Sequence, residues 1–195
     1  MTRIIAGAAG GRRIAVPPAG TRPTSDRVRE ALFSALVADP GLDGAAVLDL
    51  CAGSGALGLE ALSRGAAHAL FVESDRRAAG VLRRNVASVG LPGASVRTGT
   101  AGSVLAGPAD RPYDLVLVDP PYATPDVAVA RWLATAHAHG WLADGAVVVV
   151  ERPRDRSDAA FPWPAPLTAV RERRYGDTVL HTARSRGVGQ VASGP

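Results

Sequence analysis

The sequence has 195 residues, 47% hydrophobic and 21% charged, which is enough chain for one domain with a substantial core. Its 22 basic residues against 18 acidic ones give +4, and every basic one is arginine. No apolar run approaches the roughly 20 residues of a membrane helix, and the single cysteine, Cys51, allows neither an internal disulfide nor a cysteine-based zinc site. The expectation is a soluble protein of a reducing cytoplasm, not an integral membrane protein.

Charge is unevenly spread along the chain. Residues 1–30 hold six arginines and two acids, 31–150 hold eight and eleven, and 151–195 hold eight and five. A basic surplus at both ends of a mildly acidic middle suggests a polyanion bound by appendages. Gly7, Gly10, Gly11, Pro17 and Pro18 interrupt any amphipathic helix, which argues against a transit peptide.

In chain order, residues 3–6 and 12–16 are β-prone runs around those glycines and predict a hairpin. Thr24, Ser25 or Asp26 can cap a helix carrying Val28, Ala31, Leu32, Ala35 and Leu36 on one face, ended by Pro40 and Gly41. Short apolar runs at 45–50, 68–72, 95–97, 115–118 and 147–150 then alternate with helical stretches, predicting a mainly parallel sheet with helices on both faces. Among those helices, residues 56–63 carry Glu60 and Arg64 in i, i+4 order, and 75–89 place Ala79, Leu82, Val86 and Val89 on one side. Arg76, Arg77, Arg83 and Arg84 then form a solvated face. Residues 153–166 are proline-rich and read as a loop, and 170–174 with 178–183 flank Tyr175-Gly176-Asp177 as a terminal hairpin. The glycine, serine and proline content beyond Ser185 predicts a frayed tail. The expected layout is a basic hairpin extension at 1–23, one α/β domain at 24–184 and a tail at 185–195.

Two segments carry chemistry. The run from Val47 to Gly58 leads a strand into a glycine-rich turn and a helix, and Gly53 and Gly55 let the backbone pass close to a ligand. Twenty residues past Gly53, Glu73 ends the next strand, placed to accept from both hydroxyls of a ribose. The spacing Gly53, Gly55, Gly58 also satisfies the dinucleotide fingerprint, so an NAD-dependent oxidoreductase stays open on this segment. Asp49 favours S-adenosylmethionine, because its carboxylate can face an ammonium and would gain little from a pyrophosphate. Cys51 reads as a packed side chain.

The second segment is Asp119-Pro120-Pro121-Tyr122 after a buried-looking strand. Two prolines remove two backbone donors, leaving the Asp119 carboxylate and the Pro120 carbonyl as acceptors. Such a pair suits a planar exocyclic amine, with Tyr122 stacked on the ring. Pulling on both hydrogens frees the nitrogen lone pair for an electrophile, and a sulfonium methyl supplies one. The step then needs orientation above all, with Asp119 able to take the lost proton and no metal required. His137 and His139, two residues apart on a helix, do not share a face and make poor metal ligands.

The chain from Arg3 to Ala183 resembles the ribosomal small subunit methyltransferase D family, which methylates guanine N2 in 16S rRNA. The likeness rests on Arg3-Ile4-Ile5-Ala6-Gly7, on the block from Arg22 to Glu30, on Asp49 to Ala66 and on Asp119 to Tyr122. The last motif alone is shared with amino-group methyltransferases of DNA, RNA and protein; the Arg22 to Glu30 block narrows the resemblance. It implies a Rossmann-like class I α/β fold, with a seven-stranded mostly parallel sheet and an N-terminal β-hairpin extension. S-adenosylmethionine would be held by Asp49, Gly53, Gly55 and Glu73, with Ser74 against the adenine, and the target base by Asp119, Pro120, Pro121 and Tyr122. Where an acidic residue often meets the adenine amino group, this chain reads Arg97-Thr98-Gly99-Thr100-Ala101, leaving the Thr100 hydroxyl or the Thr100 and Ala101 backbone for that role. Arg3, Arg12, Arg13, Arg22 and Arg27 are the candidate RNA-phosphate contacts. The expected partner is 16S rRNA in an assembling small ribosomal subunit, met by a monomer. A methyltransferase acting on DNA adenine or protein glutamine, and a non-catalytic RNA-binding module, are the competing readings.

Overall fold

The computed structural model describes residues 1–17, 25–154 and 159–186. The residues proposed for the tail from 187 onward, and Arg22 with most of the proline-rich turn before the first helix, lie outside that range.

A two-stranded ribbon, β1 (Thr2–Arg3) against β2 (Arg13–Ile14), opens the chain and is followed by α1 (Asp26–Ala38). The alternating part runs β3 (Ala46–Leu50), α2 (Ala56–Ser63), β4 (His68–Glu73), α3 (Arg76–Val89), β5 (Ala94–Thr98), α4 (Ala101–Leu105), β6 (Tyr113–Val118), α5 (Asp126–Ala138) and β7 (Leu142–Pro153). The hairpin β8 (Leu167–Tyr175) and β9 (Thr178–Ser185) completes a seven-stranded sheet of order β5-β4-β3-β6-β7-β9-β8. Within this sheet the pairings among β3 to β7 are parallel, and β9 runs antiparallel between β7 and β8.

Strand runs that look uniformly apolar are period-2 patterns with both faces buried, as a sheet covered on each side requires. Val47, Phe71, Leu115, Leu117, Val147 and Val149 meet α1, α2 and α3 through Leu32, Phe33, Leu59 and Leu82. Their neighbours Leu48, Leu50, Val72, Val116, Val118 and Val150 meet α4 and α5 through Leu105, Val129 and Leu133, with Trp141 beside them. Ser25 caps α1 and Asp75 caps α3, each accepting from the amide three residues on. Arg76, Arg77, Arg83 and Arg84 are exposed, as a solvated face requires.

The N-terminal ribbon is shorter than the two β-prone runs, because side chains of the main domain take over its amides. Glu60, read from sequence as half of an i, i+4 pair, is fully buried; it accepts from Ile5 N and Ala6 N at 2.7 and 3.0 Å while also pairing with Arg64. Ser63 Oγ accepts from Ala9 N and donates to Ala6 O. Asn85 returns both bonds to Ala15, and buried Arg29 donates to Thr2 Oγ1 and Arg3 O. The extension is therefore laced to α1, α2 and α3.

Candidate active site

Parallel strands deliver their carboxyl ends to one edge, and the order reverses between β3 and β6: β4 lies on one side of β3 and β6 on the other. A crevice at that switch point is the expected ligand site of an open α/β sheet. Register places the relevant residues there. Leu50 pairs with both Val72 and Val118, so Cys51, Glu73 and Asp119 follow at one level, with Thr98 opposite Glu73. Backbone bonds fix this row: Ala52 N to Val72 O, Asp119 N to Leu50 O and Gly99 N to Glu73 O.

The turn after β3 is left-handed at three residues, Cys51, Gly53 and Gly55. Glu73 holds it from the side, its Oε2 accepting Gly53 N at 2.8 Å and its Oε1 accepting Asp75 N at 2.8 Å. The glycines serve different ends. A β-carbon on Gly53 would meet nothing within 4 Å, whereas one on Gly55 would come within 2.4 Å of Leu82 Cδ1, and one on Gly58 within 2.3 Å of Phe71 Cε1. Gly55 lets α2 pack on α3, and Gly58 lets α2 lie close to β4.

Asp49 lies beneath the turn, 1% exposed. Its Oδ2 accepts Gly58 N at 2.9 Å, and Oδ1 is buried without a partner among the described residues. Burial raises the carboxyl to about 7, with the Glu73 charge adding to the rise and the Gly58 bond opposing it. A buried carboxylate with one oxygen unengaged fits a cation, so the residues present suit the methionyl ammonium of S-adenosylmethionine. They do not suit a pyrophosphate. The Cys51 thiol is pushed up to about 12 by burial and then by Glu73, Asp119 and Asp49, which leaves it protonated and unsuited to nucleophilic work.

At the neighbouring strand end, Pro120 is buried and Asp119 half-buried, while Tyr122 is 53% exposed. Tyr122 lines an open cleft of about 430 Å³ that continues past Arg152, Arg154 and His181. Ser74 is exposed beside Glu73. Thr100 is exposed, and its hydroxyl caps α4 by accepting Ser103 N at 3.2 Å; Ala101 is buried behind it. His139 lies just past the end of α5, its Nδ1 2.9 Å from Leu105 O, and no metal-holding cluster of side chains occurs among the described residues.

Of the arginines expected to meet RNA, Arg13 and Arg27 are exposed, and Arg3 is 64% exposed with an ion pair to Asp26 at 3.3 Å. Arg12 donates to Val89 O, the last carbonyl of α3. The sequence pointed to Glu60 only as half of an i, i+4 pair, and to Asn85 and Arg152 not at all. The first two had signals: α2 is apolar on nearly every side, so its one acid has to be buried, and Asn85 stands three residues past Leu82, on the core face of α3.

A mostly parallel sheet whose order reverses between β3 and β6, with a glycine turn over a buried, half-engaged carboxylate at that point and an Asp-Pro-Pro-Tyr turn one strand away, defines a class I S-adenosylmethionine-dependent methyltransferase. The Escherichia coli protein yhhF has the same architecture in its solved structure, with TM-score 0.84 at 38% identity over 95% of this chain and 98% of that one. The family described as conserved hypothetical protein 95 matches residues 2–184. Ribosomal RNA small subunit methyltransferase D of Escherichia coli (strain K12) is 44% identical over 150 residues, 76% of this chain and 73% of that protein. Its namesake from Haemophilus influenzae is 36% identical over 89% of each chain. The chain belongs to the ribosomal RNA small subunit methyltransferase D family.

Proposed function

We propose that the protein methylates the exocyclic N2 of a guanine in 16S rRNA. The observation that carries the reading is that Glu73 and Asp119 follow at one level where the order of the sheet reverses, with Asp49 two residues below that level on β3 and one of its oxygens unengaged among the described residues. Bound there, S-adenosylmethionine supplies an electrophilic methyl group. Asp49 offers the methionyl ammonium its unengaged oxygen, and Glu73 keeps lone pairs for ribose hydroxyls beyond those it gives to Gly53 and Asp75. Adenine contacts fall to Ser74 and to backbone atoms at Thr100 and Ala101.

The target side is organised for an amine. Asp119 Oδ and the Pro120 carbonyl accept its two hydrogens, and neither proline can donate in competition. Holding both hydrogens localises the lone pair on nitrogen, and Asp119 receives the proton that methylation expels. Solvent-exposed Tyr122 is placed to stack on an incoming base. A guanine has to leave its stack to arrive there, at a cost of a few kcal/mol that contacts elsewhere offset. Arg3, Arg13 and Arg27, with Arg12 and Arg22, are the proposed phosphate contacts. The enzyme acts in the cytoplasm as a monomer on an assembling small subunit.

Asp119→Ala tests the assignment. Methyl transfer to small-subunit RNA is lost while S-adenosylmethionine still binds; loss of both together means Asp119 belongs to the cofactor site instead.

A further inference from the structure

Arg152 follows Val150 by two residues on β7, past the point where Val150 pairs with Val118 at the end of β6. Its side chain therefore reaches beyond β6 to the connection leading from Asp119 into α5. Nη2 donates to Thr124 O at 2.6 Å, and Nε donates to Asp126 Oδ1 at 2.6 Å. Thr124 N in turn donates to Pro121 O at 2.8 Å. One guanidinium thus spans the exit of the turn that contains Pro121 and Tyr122 and the first residue of α5, a helix whose N-cap, Pro125, offers no side-chain cap.

The site is a poor one for stability alone. Arg152 is 6% exposed, and its Nη1 is buried with no hydrogen-bond partner among the described residues. A buried cation with an unmatched donor is a cost that an apolar residue of similar volume avoids. What the arginine does that an apolar residue cannot is fix a carbonyl and a carboxylate at once through a rigid planar fork.

We propose that Arg152 is the positioning residue of the target-base turn. It holds residues 121–126 so that the Tyr122 ring keeps its distance and tilt relative to the acceptors of Asp119 and Pro120. It touches neither cofactor nor base. Its effect on transfer rests on the proposed function, whereas its hold on the turn does not. A small misplacement of a reacting group can cost about 100-fold in rate, so the effect belongs on kcat and not on cofactor affinity.

The test compares Arg152→Met, Arg152→Lys and Asp126→Asn with the unmodified protein by three measurements: amide hydrogen exchange, calorimetric binding of S-adenosylmethionine, and kcat for methyl transfer to small-subunit RNA. Within 121–126, exchange of the Thr124 amide, bonded to Pro121 O, should accelerate about tenfold or more in Arg152→Met, with 47–58 unchanged and cofactor Kd within about twofold. With RNA and cofactor saturating, kcat should fall by about 30-fold or more, with Arg152→Lys recovering part of it. If Arg152→Met does not fold, Asp126→Asn, altering a side chain 45% exposed, removes one anchor and should show the same pattern at smaller size. Unchanged exchange of the Thr124 amide in a folded variant overturns the proposal, and so does faster exchange with unaltered kcat. If the unmodified protein transfers no methyl to RNA, the functional reading fails while exchange still decides what Arg152 holds.

Discussion

Asp49 accepts the Gly58 amide with one carboxylate oxygen at 2.9 Å and keeps the other buried and unengaged beneath the glycine turn. One oxygen fixes the start of α2 and the other awaits a cation. This division predicts how cofactor binding depends on pH. Burial raises the carboxyl from 3.8 to about 7, so below about 7 the folded protein holds a proton there that an ammonium has to displace. Affinity for S-adenosylmethionine should weaken by up to about tenfold from pH 7 to pH 6, with proton release visible as a buffer-dependent binding enthalpy. Stability should run the other way: the raised value means the folded state binds the proton more tightly, so without cofactor stability declines as pH rises from 3.8 to about 7. In Asp49→Asn both trends should vanish.

The two turn glycines should separate cofactor binding from stability. Gly53→Ala puts a methyl into open space at φ +55, costing about 1 kcal/mol of backbone strain while obstructing the ligand side. Gly55→Ala drives a carbon to 2.4 Å from Leu82 and is left-handed as well, costing about 2–4 kcal/mol. Thermal melts with and without cofactor check this: Gly53→Ala should lose the cofactor-induced rise in Tm, and Gly55→Ala should melt earlier in both conditions.

Glu60 ties the N-terminal extension down by accepting from two amides, Ile5 N and Ala6 N. An unsatisfied buried donor costs about 1–3 kcal/mol, so Glu60→Ala should destabilise the protein by several kcal/mol in urea titration. Exchange at residues 5 and 6 should accelerate more than at the core strands. Equal acceleration everywhere would mean that Glu60 supports the whole domain and not the extension in particular.

Arg12 and Arg13, adjacent in sequence, should behave differently. Both are exposed, but Arg12 also donates to Val89 O at the end of α3. Arg13→Ala should weaken RNA binding and reduce the salt slope by about one charge, leaving Tm unchanged. Arg12→Ala should lower Tm as well. RNA affinity and salt slope unmoved by Arg13→Ala would remove the ribbon from the RNA interface.

What the sequence makes legible here follows period and turn chemistry. Residues 45–50, 68–72 and 115–118 read as strands because apolar side chains meet a helix layer on each face, and β3, β4 and β6 begin and end within a residue or two of those ranges. The turn at Gly53 and the residues at 119–122 were visible because glycine and proline act on the backbone itself. The N-terminal runs misled because strand length there is set by side chains 50 or more residues away, Glu60 and Ser63, that take the amides a longer ribbon would use. Gly55 was visible, but its reason, Leu82 on another helix, was not. Arg152 gave no local signal, since its partners Thr124 and Asp126 come near only once β7 is seated beside β6.

The central claim is that the acceptors after β6 hold a guanine amine for methylation. The most direct measurement is transfer of labelled methyl from S-adenosylmethionine to small-subunit particles, free rRNA and DNA, followed by nucleoside analysis, with Asp119→Ala in parallel. The account predicts label in N2-methylguanosine from small-subunit RNA and none with the variant. Label in an adenine, in DNA or in protein, or undiminished N2-methylguanosine with the variant, would contradict it.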